Sequence, residues 1–347
     1  MVGVSKNRNL GLDLMRLVAI YLVLLDHGGQ NPFGEVLLGG LGVEVFFILS
    51  GFLIGRIIIR EFDDFKGAST FKHFWVNRWF RTLPLYYLAL IIQIILSQDV
   101  DWGYLFYFVF LQNNFFGVSL YPISWSLVVE EWFYLGLPFV FLFFTTIFKK
   151  VKITHLVAYI VFLVLLKFIL ISLLNIPFQG VNGNVLLRFD SMLVGVVLAM
   201  LNLRHFELYK RIAHPVIFCL GIACIVLLQY IVFIKVGLDD LNQSTLFKTA
   251  YFLGQSFFIG LTLPFLNLSR VTNSGILALA PIRSFITWTS ILSYSFYLFH
   301  MNIFHFIQNL KLGGPTYIIS LLALYLVSYV IYKFYEKPLT NLRAKFN

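Results

Sequence analysis

Residues 9–30 read NLGLDLMRLVAIYLVLLDHGGQ, an apolar run with Asp13 and Arg16 near its start and Asp26 and His27 at its end. Its length suits a helix crossing a hydrocarbon core of about 30 Å. A charge near the centre of such a helix costs roughly 2.5–3.5 kcal/mol on the insertion scale. A segment that only anchored the chain would not keep two of them, and ionisable residues within a membrane mark function by default. Arg16 and His27 stand eleven positions apart. At 3.6 residues per turn that is about 1100° of rotation, so both share one helix face, roughly 16 Å apart along the axis.

The rest of the chain agrees with a membrane reading. It is 59% hydrophobic and 12% charged, with a mean hydropathy of +0.85, outside soluble globular composition. Its 39 Phe, 18 Tyr and 6 Trp suit lipid-facing and interfacial helix surfaces. The net charge of +10 does not indicate nucleic-acid binding, which needs Lys and Arg clustered on a soluble face. Here the basic residues fall in short loops between apolar spans. Cys219 and Cys224 lie in one apolar span and form neither a disulfide framework, a CxxC motif nor a metal site. Lys6 and Arg8 precede the first apolar run as in a signal peptide, but Asp13 and Arg16 interrupt it and no small-residue cleavage site follows. We therefore read residues 12–27 as a retained first transmembrane helix.

At about 20 apolar residues per crossing, the chain holds ten spans, near 12–27, 41–59, 83–97, 124–148, 153–174, 185–203, 215–235, 246–266, 285–309 and 315–334. Residues 103–116, GYLFYFVFLQNNFF, are too short to cross and read as re-entrant or interfacial. With the N-terminus in the cytoplasm, the cytoplasmic segments hold Lys6 and Arg8, the six Lys/Arg of 56–81, Lys149, Lys150 and Lys152. They also hold Arg204, Lys210, Arg211, Arg270, Arg283 and the four of 333–345, which makes twenty of the 26. Lys235, Lys248 and Lys311 fall outside, and Arg16, Lys167 and Arg188 within spans. The positive-inside rule favours this orientation, with both termini cytoplasmic. The expected fold is an all-α integral membrane protein of about ten transmembrane helices, in one domain over 1–347. Its longest loop is residues 60–82, with no soluble esterase-like domain. No internal repeat is visible, against an inverted-repeat transporter.

Several motifs then fall in a fixed order: LDLMR, ten residues and His27; GVEVFFILSGFLI at 42–54; RWFRTLP at 78–84; SWSLVVEEWFY at 124–134; RFDSMLVG at 188–195; SYSFYLFH at 293–300; and YEKP at 335–338. This series resembles the membrane-bound acyltransferase 3 family, whose members acylate cell-surface sugars, over nearly the whole chain. The resemblance implies a multi-pass protein of the cytoplasmic membrane using acyl-CoA, usually acetyl-CoA, as co-substrate, with no permanently bound cofactor. It also implies an acceptor hydroxyl on a glycan or lipid-linked sugar. Oligomeric state is left open.

His27 is the first catalytic candidate, because a neutral imidazole accepts a hydroxyl proton at neutral pH. Asp26 sits about 100° round the helix from it and is a poor orienting partner. Arg16 and Asp13, three apart, either form a structural ion pair or place Arg16 on the substrate cavity near the thioester or acceptor. Arginine forks suit phosphate oxygens. The family reading is that Arg78 and Arg81 grip the phosphates of CoA; the plain reading is that they anchor topology. Glu130, the first acid of its family motif, is assigned to orient His27 or serve as a second acid/base, while Glu131 caps or faces solvent. Trp125 and Ser126 line the same cavity. Gly40, Gly42, Gly51 and Gly55 read mainly as helix packing, with Ser50 and Gly51 also offered to the pantetheine arm. Glu44 stands where the family has an acid. Arg188 and Asp190 either meet the acceptor or tie helices together, and His300 reads as a satisfied contact between helices.

The expected activity is transfer of an acyl group to a surface-glycan hydroxyl. His27 acts either as general base or as an acyl carrier. The rival from another class is a polytopic exporter or permease for such a glycan, which would move substrate without acyl turnover.

Overall fold

The computed structural model describes residues 8–33, 36–97, 101–112, 120–269, 275–311 and 315–342. Lys6, Arg270, Arg343 and Lys345 of the loop-charge reading lie outside them. The described residues are helical with no strand. Ten long helices carry the fold: α1 Leu10–His27, α2 Leu38–Asp63, α3 Ala68–Ser97, α4 Trp125–Phe148, α5 Ile153–Leu174, α6 Phe189–Arg204, α7 Pro215–Gln229, α8 Thr245–Leu268, α9 Ala280–Asn309 and α10 Thr316–Ile331. They match the ten expected spans one for one. Eight helical stretches are long and apolar enough to cross a membrane. α1 and α9 fall outside that set: α1 carries Asp13, Arg16 and Asp26, and α9 is rich in Ser, Thr, His and Asn.

Side chains are sorted in the sense expected of a protein in lipid. Asp13, Glu44, Lys167, Arg188, Asp190 and His300 are all buried, while Leu173, Val216, Leu322 and Leu326 are largely exposed. Apolar residues outside and polar residues inside suit a solvent that offers no hydrogen bonds.

The chain forms two compact units. The first comprises residues 1–56, 156–178 and 190–293; the second comprises 57–155, 179–189 and 294–347.

In the first unit α1 begins on Asn9, whose side chain accepts the Leu12 N–H and donates to the Asn267 carbonyl at the end of α8 at 2.7 Å. α2 crosses α6 glycine against glycine. A Cβ at Gly51 would overlap the Met192 carbonyl, and one at Gly195 would overlap the Ile48 carbonyl. The buried residues of α5 are Leu156, Leu163, Lys167 and Ile171. Their spacing of seven, four and four makes one narrow stripe. Lys167, on that stripe, meets Asp190 of α6 at 2.5 Å, with both side chains 1% exposed.

The second unit corrects the expected loop at 60–82. After a turn at Gly67, α3 runs unbroken from Ala68 through Pro84 to Ser97. Two tyrosines donate to carbonyls around the proline: Tyr294 Oη to Thr82 O and Tyr335 Oη to Pro84 O, each at 3.1 Å. These bonds tie α3 to α9 and to the segment after α10. The charges of 68–81 therefore belong to a helix.

Of the expected non-crossing segment 103–116, residues 103–112 are described. Trp102–Tyr104 and Leu105–Phe108 form two short helical turns, and 113–116 lie outside the described residues. The carbonyls of Tyr107, Phe108 and Phe110 accept from Tyr86, Tyr87 and Trp132, so side chains of α3 and α4 satisfy a backbone that does not satisfy itself.

Removing one partner of the Lys167–Asp190 pair leaves a buried charge, which costs about 3–5 kcal/mol. Lys167→Met is therefore expected to lower the unfolding temperature in detergent sharply, and Lys167→Met with Asp190→Leu to recover most of the loss. Equal loss in the single and double variants would show that the pair is not what holds α5.

Candidate active site

The first unit contains α1 and with it the opening motif. Asp13 is 2% exposed and forms the centre of a cluster. Arg8 grips it in a fork, Nη2 to Oδ1 at 2.6 Å and Nε to Oδ2 at 3.0 Å. Arg16 Nη1 reaches Oδ1 at 3.3 Å and Ser290 Oγ donates to it at 2.7 Å. The Arg16–Asp13 ion pair is thus present, and Arg8 and Ser290 complete it. Arg8 was legible only as a topology signal, although an arginine five positions before the acid was a cue. Ser290, on α9, gave no local sign. Two positive charges on one buried carboxylate leave the cluster net positive at the start of α1.

At the other end, Asp26 caps α2. Its Oδ2 accepts the Gly39 N–H at 2.8 Å and its Oδ1 accepts Asn31 Nδ2 at 2.9 Å. A carboxylate on the first N–H groups of a helix satisfies orphan donors and complements the dipole. This is the physical reason Asp26 serves α2. His27, the last residue of α1, is exposed. Its backbone position is set on one side by α1 and on the other by a loop that Asp26 and Asn31 close.

Glu44 is fully buried on α2 and accepts a hydrogen bond from Ser256 Oγ on α8. Ser50 is half-buried. Gly51 occupies the α2–α6 crossing, where the Met192 carbonyl fills the space beside its Cα. That is close packing of α2 on α6. Asp190, bound to Lys167, ties helices together.

The second unit holds the other candidates. Arg78 lies on α3 with 16% of its side chain exposed. Its Nη2 donates to Tyr134 Oη at 2.6 Å and meets Glu130 Oε2 at 3.4 Å. Its guanidinium carbon is 4.1 Å from the Tyr134 ring centroid, within cation–π range. Of the two acids of the motif, only the expectation for Glu131 is overturned. Glu130 is the one paired with a cation. Glu131, expected to cap or face solvent, is 8% exposed and accepts from Thr82 Oγ1 at 3.0 Å. Tyr134 follows Glu130 by one helical turn, which was a usable signal for a shared face.

Arg81 is exposed on the same helix, so the arginine pair does not share one environment. Trp125 is half-buried and Ser126 buried. Ser126 Oγ donates to Tyr297 Oη at 2.7 Å, and Tyr297 Oη donates to the Ile123 carbonyl at 2.8 Å. Arg188 is 1% exposed. His300 Nδ1 donates to the Tyr297 carbonyl at 2.8 Å. That bond lies within its own helix, where one turn of α9 brings the carbonyl under the ring. Among the described residues, no group of three His, Cys, Asp or Glu side chains is placed to hold a metal ion.

Comparison with known proteins adds the family. Residues 9–333 match the family model of an acyltransferase domain. A protein of Staphylococcus aureus strain COL, provisionally named as an O-acetyltransferase, is 26% identical over 94% of this chain and 56% of its own length. The O-acetyltransferase OatA of S. aureus strain NCTC 8325 is 26% identical over 95% of this chain and 57% of its own length. The chain thus spans little more than half the length of these relatives. No solved structure matches it.

The two arginines of α3 are separable by experiment. Arg78→Gln removes the cation from a carboxylate that is 12% exposed and is expected to cost about 2–3 kcal/mol, less than for a fully buried pair. Arg81 is exposed and interacts with the half-buried Glu336, so Arg81→Gln is expected to lower the unfolding midpoint in detergent by less than Arg78→Gln does. Equal midpoints for the two variants would show that the Arg78–Glu130–Tyr134 contact does not hold α3 to α4.

Proposed function

The chain belongs to this acyltransferase family, and on that premise we propose that it transfers an acyl group, acetyl first, from acyl-CoA to a hydroxyl of a surface glycan or its lipid-linked precursor. The names of the S. aureus relatives support the O-acetylation part of this reading. The observation that carries the site is the exposed imidazole at the end of α1, on the helix whose other end buries an arginine–carboxylate cluster.

The chemistry needs one base and one place for the donor. His27, neutral, takes the proton of the acceptor hydroxyl as that oxygen attacks the thioester carbonyl. The tetrahedral intermediate collapses, the C–S bond breaks, and the thiolate of CoA takes the proton back from the imidazolium. The product is an O-acyl ester and free CoA. Arg16 lies roughly 16 Å along the helix from His27, too far to meet the same reacting atom. Its part is to hold the net positive start of α1 toward an anionic portion of donor or acceptor. Arg81, exposed, suits the phosphates of CoA, and Arg78, bound to Glu130 and Tyr134, fixes the helix that presents it. The loop charges support a cytoplasmic donor side and both termini in the cytoplasm. Family membership favours this reading over a glycan permease.

Purified protein supplied with labelled acetyl-CoA and a membrane glycan fraction tests the proposal. His27→Ala is expected to lower label transfer by about 100-fold or more while leaving the unfolding midpoint unchanged. Equal transfer by both proteins would remove His27 from the chemistry, and no transfer by wild type would return the permease to first place.

A further inference from the structure

The second unit carries a groove of about 590 Å³ that the acyl-transfer reading does not use. Its walls are Phe65, Phe71, Trp75 and Trp79 from the start of α3 and the turn before it, with Phe139 and Leu142 of α4. The rings hold one another. Phe71 lies 5.5 Å from Trp75 and 5.4 Å from Phe139, Trp75 and Phe139 are 5.9 Å apart, and Trp75 stacks on Trp79 at 5.9 Å and 12°. Trp75 Nε1 is fixed by a 3.2 Å bond to the Tyr134 carbonyl. This is a built wall, and Phe65 and Phe139 are exposed along it.

One charged side chain, Lys72, lines the groove. Lys66 lies just before it in the chain, and α4 continues about 10 Å beyond Leu142 to Lys149, Lys150 and Lys152, all exposed. The opposing acids are Asp63, Asp64 and Glu61, and Glu61 is met by His73 Nδ1 at 2.7 Å. The mouth is therefore basic and the interior apolar and aromatic. Water has no partners inside such a groove. Soluble coenzyme has no arginine fork there. A hydrocarbon chain with an anionic head fits both parts: aromatic side chains sit at the interface, and each lysine near an anionic headgroup adds attraction.

We propose that this groove binds one acyl chain of an anionic phospholipid of the surrounding bilayer, with the lipid phosphate at Lys72. None of the residues assigned to acyl transfer lines the groove, and the proposal does not rest on that reading.

The full chain reconstituted in bilayers of phosphatidylglycerol or phosphatidylcholine, each with brominated chains at equal bromine content, tests it. The Trp75 share of fluorescence quenching is read as wild type minus Trp75→Phe. At low salt the preference for phosphatidylglycerol is expected to be about fivefold. It should shrink as salt screens the headgroup and fall clearly in Lys72→Gln, with the remainder due to the lysines that stay at the mouth. Equal quenching by the two lipids, or a preference unchanged in Lys72→Gln, would overturn the proposal. So would displacement of the brominated phosphatidylglycerol by a polyprenyl phosphate at lower mole fraction than by unlabelled phosphatidylglycerol, which would give the groove to a lipid-linked acceptor. Should Trp75→Phe fold poorly, total quenching of wild type against Lys72→Gln reads the same preference.

Discussion

A carboxylate with almost no exposure must be met by cations and donors from the protein itself, and Asp13 is where this chain meets that demand most fully. Arg8, Arg16 and Ser290 converge on it. The cost of a lone buried charge is several kcal/mol, so the cluster fixes the depth and rotation of α1 and ties it to α9 through Ser290. The position of His27 follows from that, because α1 is rigid between its ends and Asp26 pins the far end to the start of α2. The candidate chemistry at one end of the helix depends on electrostatic bookkeeping at the other.

The same demand shapes the rest of each unit. In the first, Lys167–Asp190 joins α5 to α6 and Ser256–Glu44 joins α8 to α2. In the second, Arg78 joins α3 to α4 through Glu130 and Tyr134, Thr82 reaches Glu131, and Ser126 meets Tyr297. Between lipid-facing helices there is little hydrophobic drive for association, so small-residue crossings such as Gly51–Gly195 and polar contacts do the holding.

What was legible in the sequence was whatever depends on neighbours along the chain. Apolar run length placed all ten long helices. Pairings set by tertiary contact were not legible. Glu130 has no Lys or Arg near it in sequence because its cation, Arg78, comes from another helix 52 positions away. Lys167 looked like a stray charge until Asp190 appeared beside it. The start of α3 was missed for a related reason. Its charged first half resembles a loop, and the tyrosines that donate beside Pro84 lie more than 200 positions on. The resemblance singled out the motif residues but did not distinguish a side chain held in a network, such as Arg78, from an exposed one such as Arg81.

The narrow buried stripe of α5 has a consequence for how such chains diverge. Most of this helix faces outward and is asked only to be greasy, so any of several apolar residues serves at each outward position. Rotation about its own axis would be nearly degenerate were Lys167 not there to choose one heading. A helix of 22 residues is thus oriented by a single letter, and the others are free to drift among synonyms. Two membrane proteins built in this way can share every span while agreeing at about a quarter of their positions, which is the level at which this chain and its S. aureus relatives agree.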